Sequence, residues 1–195
     1  MRALLVIGMQ IDLLPGGPAE VPGSDTLGPA IAALVPSYDR LLAARFQLPA
    51  NHASFAANHP WRFPGQDITW KGRPLRLSTF FGIPGSFGAE FIPGWPADRL
   101  DFIADMGTDP DHAPDHAFRD ADGPDTGLAD FLRQEGIAHL DICGIPLDTT
   151  VYRTALAAQA LGLDTTVLTT ACAAHAGADP AALLRSLAEQ GVTIR

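Results

Sequence analysis

Short, unbroken apolar runs alternate with helix-like patterns along this chain, most regularly in its second half. ALLVI at Ala3–Ile7 is the first run, followed by DFIA at Asp101–Ala104, LDIC at Leu140–Cys143 and TTVLT at Thr165–Thr169. Runs of this length without polar alternation suit strands covered on both faces. Between them, TGLADFLRQEG predicts a helix capped by Asp125 or Thr126 and stopped at Gly136. TTVYRTALAAQALG predicts one ending at Gly162, and DPAALLRSLAEQG one that opens on Asp179 and Pro180 and closes at Gly191. VTIR supplies a last short strand. Strand alternating with helix requires parallel pairing through right-handed crossovers. The expected architecture is an α/β three-layer α/β/α sandwich with a mainly parallel sheet of about six strands. Chemistry in such sheets gathers beyond the carboxyl ends of the strands, here Gly8, Met106 and the GIPLDTT turn after Cys143. RLLAARF at Arg40–Phe46 is ambiguous: its propensity is helical, yet Pro36 interrupts any helix begun at Pro29.

Composition narrows the class. The chain has 195 residues, 47% of them hydrophobic, so a single domain spanning 1–195 with a sizeable core is expected. A formal net charge of −9 argues against nucleic acid or an anionic membrane as partner, since either demands a basic patch. Two cysteines, Cys143 and Cys172, make no disulfide framework and fit a reducing compartment. The opening MRALLVIG is too short for a signal peptide or a membrane span, so a cytoplasmic protein is expected.

Several segments carry a family resemblance. ALLVIGMQIDLLPGGPAEVPGSD is similar to an opening in which a first strand runs into a D-x-Q-x-D-F segment and a glycine-rich loop. PANHASFAANHP resembles a metal-loop segment, PGSFGAEFIP the stretch after a third metal ligand, and AFRDADGPDTGLADFL a central loop and helix. GIPLDTTVYRTALAAQALGLDTTVLTTACAAH resembles a nucleophile turn with its helix, the next strand and a loop. In this order, nearly end to end, the segments resemble the nicotinamidases (pyrazinamidases) of the isochorismatase-like hydrolase superfamily. The resemblance implies the isochorismatase-like hydrolase fold and makes Arg40–Phe46 its second strand.

It also implies a chemistry whose side chains are absent here. The family's Asp, Lys and Cys positions match Gly8, Met106 and Thr150. A helix start favours a thiolate, whereas a threonine hydroxyl needs an adjacent base, and Gly8 offers none. The bond matching the family's cis peptide is Ile145–Pro146; proline makes a cis bond cheap but has no N–H. One oxyanion donor is therefore missing, a loss typically worth about 10²–10³ in kcat. The family's metal ligands fall at Phe46, Leu48, His52 and Phe81, and one imidazole cannot cage a divalent ion. Its aromatic substrate walls fall at Leu13 and Ser78. Together with Ile145, Pro146 and Thr149, these residues outline a pocket of apolar or small groups.

Other constellations compete for attention. Asp12 corresponds to an acid with a structural hydrogen-bonding role in the family; a relocated base is the alternative. Asp148, Thr149 and Thr150 are helix-capping residue types. DPDHAPDHAFRDADGPD sets His112 and His116 among Asp109, Asp111, Asp115, Asp120, Asp122 and Asp125. Such residues can bind Zn, Ni or Mn, but Pro110 and Pro114 oppose the helix that would align the two imidazoles. A solvated, pH-sensitive acidic loop is expected instead. Cys143 reads as a small apolar strand residue, Cys172 has no base beside it in sequence, and Trp61, Trp70 and Trp95 are expected to pack under loops.

The sequence thus points to a family member that has lost amidohydrolase activity, with no cofactor and no metal at the family site. Such a pseudoenzyme would bind a small-molecule ligand or serve as a structural or regulatory subunit, in a homo-oligomer or a complex with an active relative. The alternative is a retasked, cysteine-independent hydrolase of a small amide or vinyl ether, using Asp12 or Thr150.

Overall fold

The first apolar run becomes strand β1 (Arg2–Ile7), buried from Ala3 onward, at the centre of the protein. The computed structural model describes all residues from Met1 to Arg195. The other strands are β2 (Arg40–Phe46), β3 (Asp67–Trp70), β4 (Arg73–Arg76), β5 (Phe102–Met106), β6 (Pro114–His116), β7 (Arg119–Asp120), β8 (His139–Gly144), β9 (Asp164–Cys172) and β10 (Thr193–Ile194). The α-helices are α1 (Leu27–Leu34), α2 (Leu128–Gln134), α3 (Tyr152–Ala160) and α4 (Pro180–Glu189). Six strands form one sheet in the order β10-β9-β8-β1-β2-β5, and every neighbouring pair is parallel. Helices flank it, giving the three-layer α/β sandwich; β3–β4 and β6–β7 are separate antiparallel hairpins. Arg40–Phe46 is a strand, because its Leu41–Ala44 stretch is buried on both faces of the sheet. The side-chain demand of a central parallel position overrides local helical propensity there.

Punctuation residues explain most helix ends. Asp179 caps α4 by accepting from the Ala182 N–H at 3.0 Å, with Pro180 in the first turn. Gly136, Gly162 and Gly191 end α2, α3 and α4 in left-handed conformations. The cap of α2 differs from expectation: the N-cap is Gly127, and Asp125 is drawn away to Arg119 at 2.7 Å. No helix is long and apolar enough to cross a membrane.

Candidate active site

The carboxyl ends of β8, β1, β2 and β5 align along one sheet edge, and the strand order switches direction between β1 and β8. Open parallel sheets bind ligands there. Gly8 leaves β1 with φ +68°, its N–H donating to the Ala44 carbonyl at 2.9 Å. A Cβ at Gly8 would lie 2.2 Å from the Ile145 carbonyl oxygen. Gly144 answers from the other side: φ is +111°, and a Cβ there would lie 2.1 Å from the Ile7 carbonyl oxygen. The Ile145 N–H donates to that oxygen at 2.9 Å. Two backbones are thus pressed together where the resemblance places a catalytic acid, and only glycine fits both surfaces.

The loop after β1 is held by side chains that do fit the family pattern. Buried Gln10 donates to the Phe46 and Ala89 carbonyls, both at 2.9 Å, and accepts from the Phe46 N–H at 2.7 Å. Asp12 accepts from the Gly82 N–H at 2.8 Å, and Gly88 packs so close that a Cβ would overlap the Asp12 carboxylate. Asp12 is therefore engaged in tying the 82–88 loop to the strand end, a structural duty.

Packed side chains occupy the positions where the resemblance expects metal ligands. Phe46 meets Phe81 edge to face, centroids 5.3 Å apart, and Phe55 packs against Phe81 at 6.2 Å. Phe46, Leu48 and Met106 belong to the main buried core together with Leu13 and Ile145, and Phe81 packs against it. His52 is wholly buried, and both its ring nitrogens are committed. Nδ1 accepts the Ser54 N–H at 3.1 Å and lies 2.8 Å from the Ser54 hydroxyl. Nε2 faces the His112 carbonyl at 3.2 Å, which assigns the proton to Nε2. Burial holds His52 below the usual imidazole range, partly offset by that carbonyl contact. These side chains do not fit a divalent metal: three carry no donor atom and the fourth has no free lone pair.

The turn after β8 is where the resemblance expects a nucleophile. The Ile145–Pro146 bond is cis, and residues Leu147–Val151 form a wide π-type turn leading into α3. Thr150 is buried in that turn, Thr149 is half-buried, and Ser78 donates to the Ser54 carbonyl at 3.3 Å. Asp148 does not cap the turn. It accepts instead from the His175 backbone N–H at 2.8 Å, and its two oxygens lie 3.2 and 3.1 Å from His175 Nδ1. Burial raises the Asp148 carboxyl, but the hydrogen bonds from His175 outweigh it and hold the group below the usual carboxylate range. Sequence reading missed this pair. The two residues are 27 apart, and only the fold returns the loop after β9 to the turn after β8.

The acidic loop is not freely solvated. Asp111 accepts from Lys71 at 2.5 Å and from the Trp70 indole at 3.3 Å, and Asp115 pairs with Arg153. Asp120 is buried with the Gly107 N–H on it at 2.8 Å; burial pushes it up to about 6, against the pull of that hydrogen bond. His112 and His116 lie on no helix and face different partners. His112 Nε2 is 3.3 Å from an Arg73 nitrogen, and His116 Nδ1 accepts from the Phe118 N–H at 3.3 Å. His112 Nδ1 sits 3.2 Å from Asp109 without hydrogen-bond geometry. No three His, Cys, Asp or Glu side chains converge on a common point.

Neither cysteine is poised to react: burial pushes Cys143 well above the ordinary thiol range and Cys172 up to about 12. Trp70 lies half-buried against His59, while Trp95 packs on the core with its indole N–H buried and unpartnered. Trp61, by contrast, is out in solvent.

Comparison with known proteins fits this fold. The isochorismatase domain family matches residues 2–195. This chain belongs to the isochorismatase family. A nicotinamidase of Acinetobacter baylyi is 33% identical over 161 residues, covering 82% of this chain and 75% of that protein. The solved nicotinamidase/pyrazinamidase of Acinetobacter baumanii superposes with a TM-score of 0.91 at 31% identity, over 99% of this chain and 94% of the other. The pyrazinamidase of Pyrococcus horikoshii, solved in complex with zinc, gives a TM-score of 0.81 at 26% identity, over 100% and 98% of the two chains. The isochorismatase fold is therefore present from end to end, and Gly8, Met106 and Thr150 stand at the carboxyl edge of its sheet.

Proposed function

We propose that this isochorismatase-family protein does not hydrolyse nicotinamide or related amides, and acts as a structural or regulatory subunit. The observation that carries the proposal is the packing of Phe46, Leu48, Met106, Leu13 and Ile145 into one buried core at the carboxyl edge of the sheet. Amide hydrolysis needs an activated nucleophile, a base and oxyanion donors around a reacting carbonyl. Here the base position is a glycine, the nucleophile position a threonine with no base hydrogen-bonded to its hydroxyl, and the turn proline has no N–H. The zinc held by the Pyrococcus horikoshii relative finds no ligand set at Phe46, Leu48, His52 and Phe81. Because large side chains occupy this space, the subunit role is preferred over a small ligand held in the same place. A calorimetric titration with nicotinamide and, separately, with zinc tests this: neither gives saturable heat. Stoichiometric binding of either would overturn the filled-site account.

A second reading rests on one contact. Asp148, in the same turn as Thr149 and Thr150, holds the His175 imidazole, and acid–imidazole pairs activate hydroxyl nucleophiles that come within their reach. In that reading the chain is a cysteine-independent hydrolase, and its rate vanishes with His175→Ala or Thr150→Ala.

A further inference from the structure

Four large aromatic side chains are exposed on the loops around the filled site: Trp61 is 94% exposed, Phe87 77%, Phe63 66% and Phe80 44%, the last with its inner side against buried Phe55. A lone exposed apolar residue is ordinary, but four large ones from two neighbouring segments are not. The segments are linked, since the Gly65 N–H donates to the Leu77 carbonyl at 2.7 Å and the Leu77 N–H to the Gln66 carbonyl at 2.8 Å. Trp61 moreover has φ +61°, a left-handed conformation that side chains with a Cβ rarely adopt, so the backbone is strained in the act of presenting it.

Arg62, next to Trp61 in the chain, helps to line an open concavity of about 760 Å³ together with His59, Asp67, Ile68, Trp70 and Pro74. His59 and Trp70 form an edge-to-face wall, centroids 5.4 Å apart. Asp67 is taken by Arg76 at 3.1 Å, which leaves the Arg62 guanidinium as the cation facing the space. An aromatic wall with a cation beside it is a receptor for an indole face. Knob and receptor are adjacent in the chain, Trp61 next to Arg62, so a nearby two-fold axis would seat each copy's knob in the other's receptor.

We propose that this face is the contact between two copies of the chain, with Trp61 of each inserted over Arg62 and Trp70 of its partner. Charge favours a second copy here over any other part of the surface. The chain carries a net −9, yet segment 77–89 has no charged residue and segment 59–66 has only Arg62. Two copies meet there with a single acid in each receptor, Asp67, already paired with Arg76. The four aromatics present on the order of 500 Å² of apolar surface, a large share of the roughly 800 Å² that each partner contributes to a standard interface.

Sedimentation velocity across a concentration series tests the proposal, with Trp61→Ser and Arg62→Glu as interface variants and Leu161→Ser as a control. Leu161 is also exposed but stands at the end of α3, outside this face. The wild type sediments as a dimer, and either interface variant weakens it by about tenfold or more while circular dichroism stays unchanged. Leu161→Ser leaves the dimer intact. A wild type that is monomeric throughout, a dimer insensitive to Trp61→Ser and Arg62→Glu, or one dissociated equally by Leu161→Ser would each overturn the proposal.

Discussion

Two neighbouring regions at the carboxyl edge of the sheet contrast sharply. The loop after β1 keeps polar side chains at full work: Gln10 makes three buried hydrogen bonds and Asp12 holds the 82–88 loop. A few residues away, the positions where the resemblance expects reacting groups carry Gly8, Phe46, Leu48, Phe81 and Met106; Phe46, Leu48 and Met106 lie in the main core, Phe81 packs against it, and Gly8 abuts the Ile145 backbone. The difference follows from what each group serves. Gln10 and Asp12 satisfy backbone groups that stay polar whatever the protein does, and leaving those unpaired costs about 1–3 kcal/mol each. A catalytic acid or a metal ligand satisfies a substrate or an ion, and without either it is a buried charge to be replaced by packing.

The contrast can be broken at several points. Phe46→Ala is expected to have the largest effect, about 3–5 kcal/mol in urea denaturation, because it empties space between Phe81 and the core. A cost under about 1 kcal/mol would mean that the old metal position is only loosely filled. Gly8→Ala comes next at about 2–3 kcal/mol, since it combines φ +68° with a Cβ 2.2 Å from the Ile145 oxygen. Wild-type stability in Gly8→Ala would show that the strand end relaxes readily enough to admit an acid. Asp12→Ala should cost about 1–3 kcal/mol by stranding the Gly82 N–H, measured the same way.

The smallest effect is a change of slope. Asp120 is raised to about 6 in the folded protein, so its protonated form is the one favoured by folding. Its contribution is fully present below the unfolded carboxyl range near pH 4 and is lost as pH rises through about 6. Asp120→Asn should remove that decline, so the variant gains on the wild type between about pH 4 and 7 in paired thermal melts. Parallel stability curves would show that Asp120 titrates alike in both states.

How much of this was legible in the sequence depended on the range of the interaction. Unbroken apolar runs gave β1, β8 and β9, and Asp179–Pro180 gave the start of α4, because each signal lies within the element it specifies. Arg40–Phe46 needed the family frame, since its helical propensity yields only to burial in mid-sheet. The vacant positions at Gly8, Met106 and Thr150 could be read by alignment of motifs, but not the backbone contact between Gly8 and Ile145 that closes the space. The acidic loop misled for a similar reason: its counter-charges, Lys71, Arg73 and Arg153, come from distant segments. The Asp148–His175 pair and the exposure of Trp61 likewise arise from loops meeting across the fold.

Ammonia release from nicotinamide is the measurement that bears most directly on the central claim. It is made with zinc-supplemented wild type at high concentration, beside Thr150→Ala, Asp12→Ala and His175→Ala. A hydrolytic site emptied of base, thiol and oxyanion donor predicts no turnover above buffer in any of the four. A saturable wild-type rate that disappears in Thr150→Ala or His175→Ala would contradict the account and place a working hydroxyl nucleophile in the turn after β8.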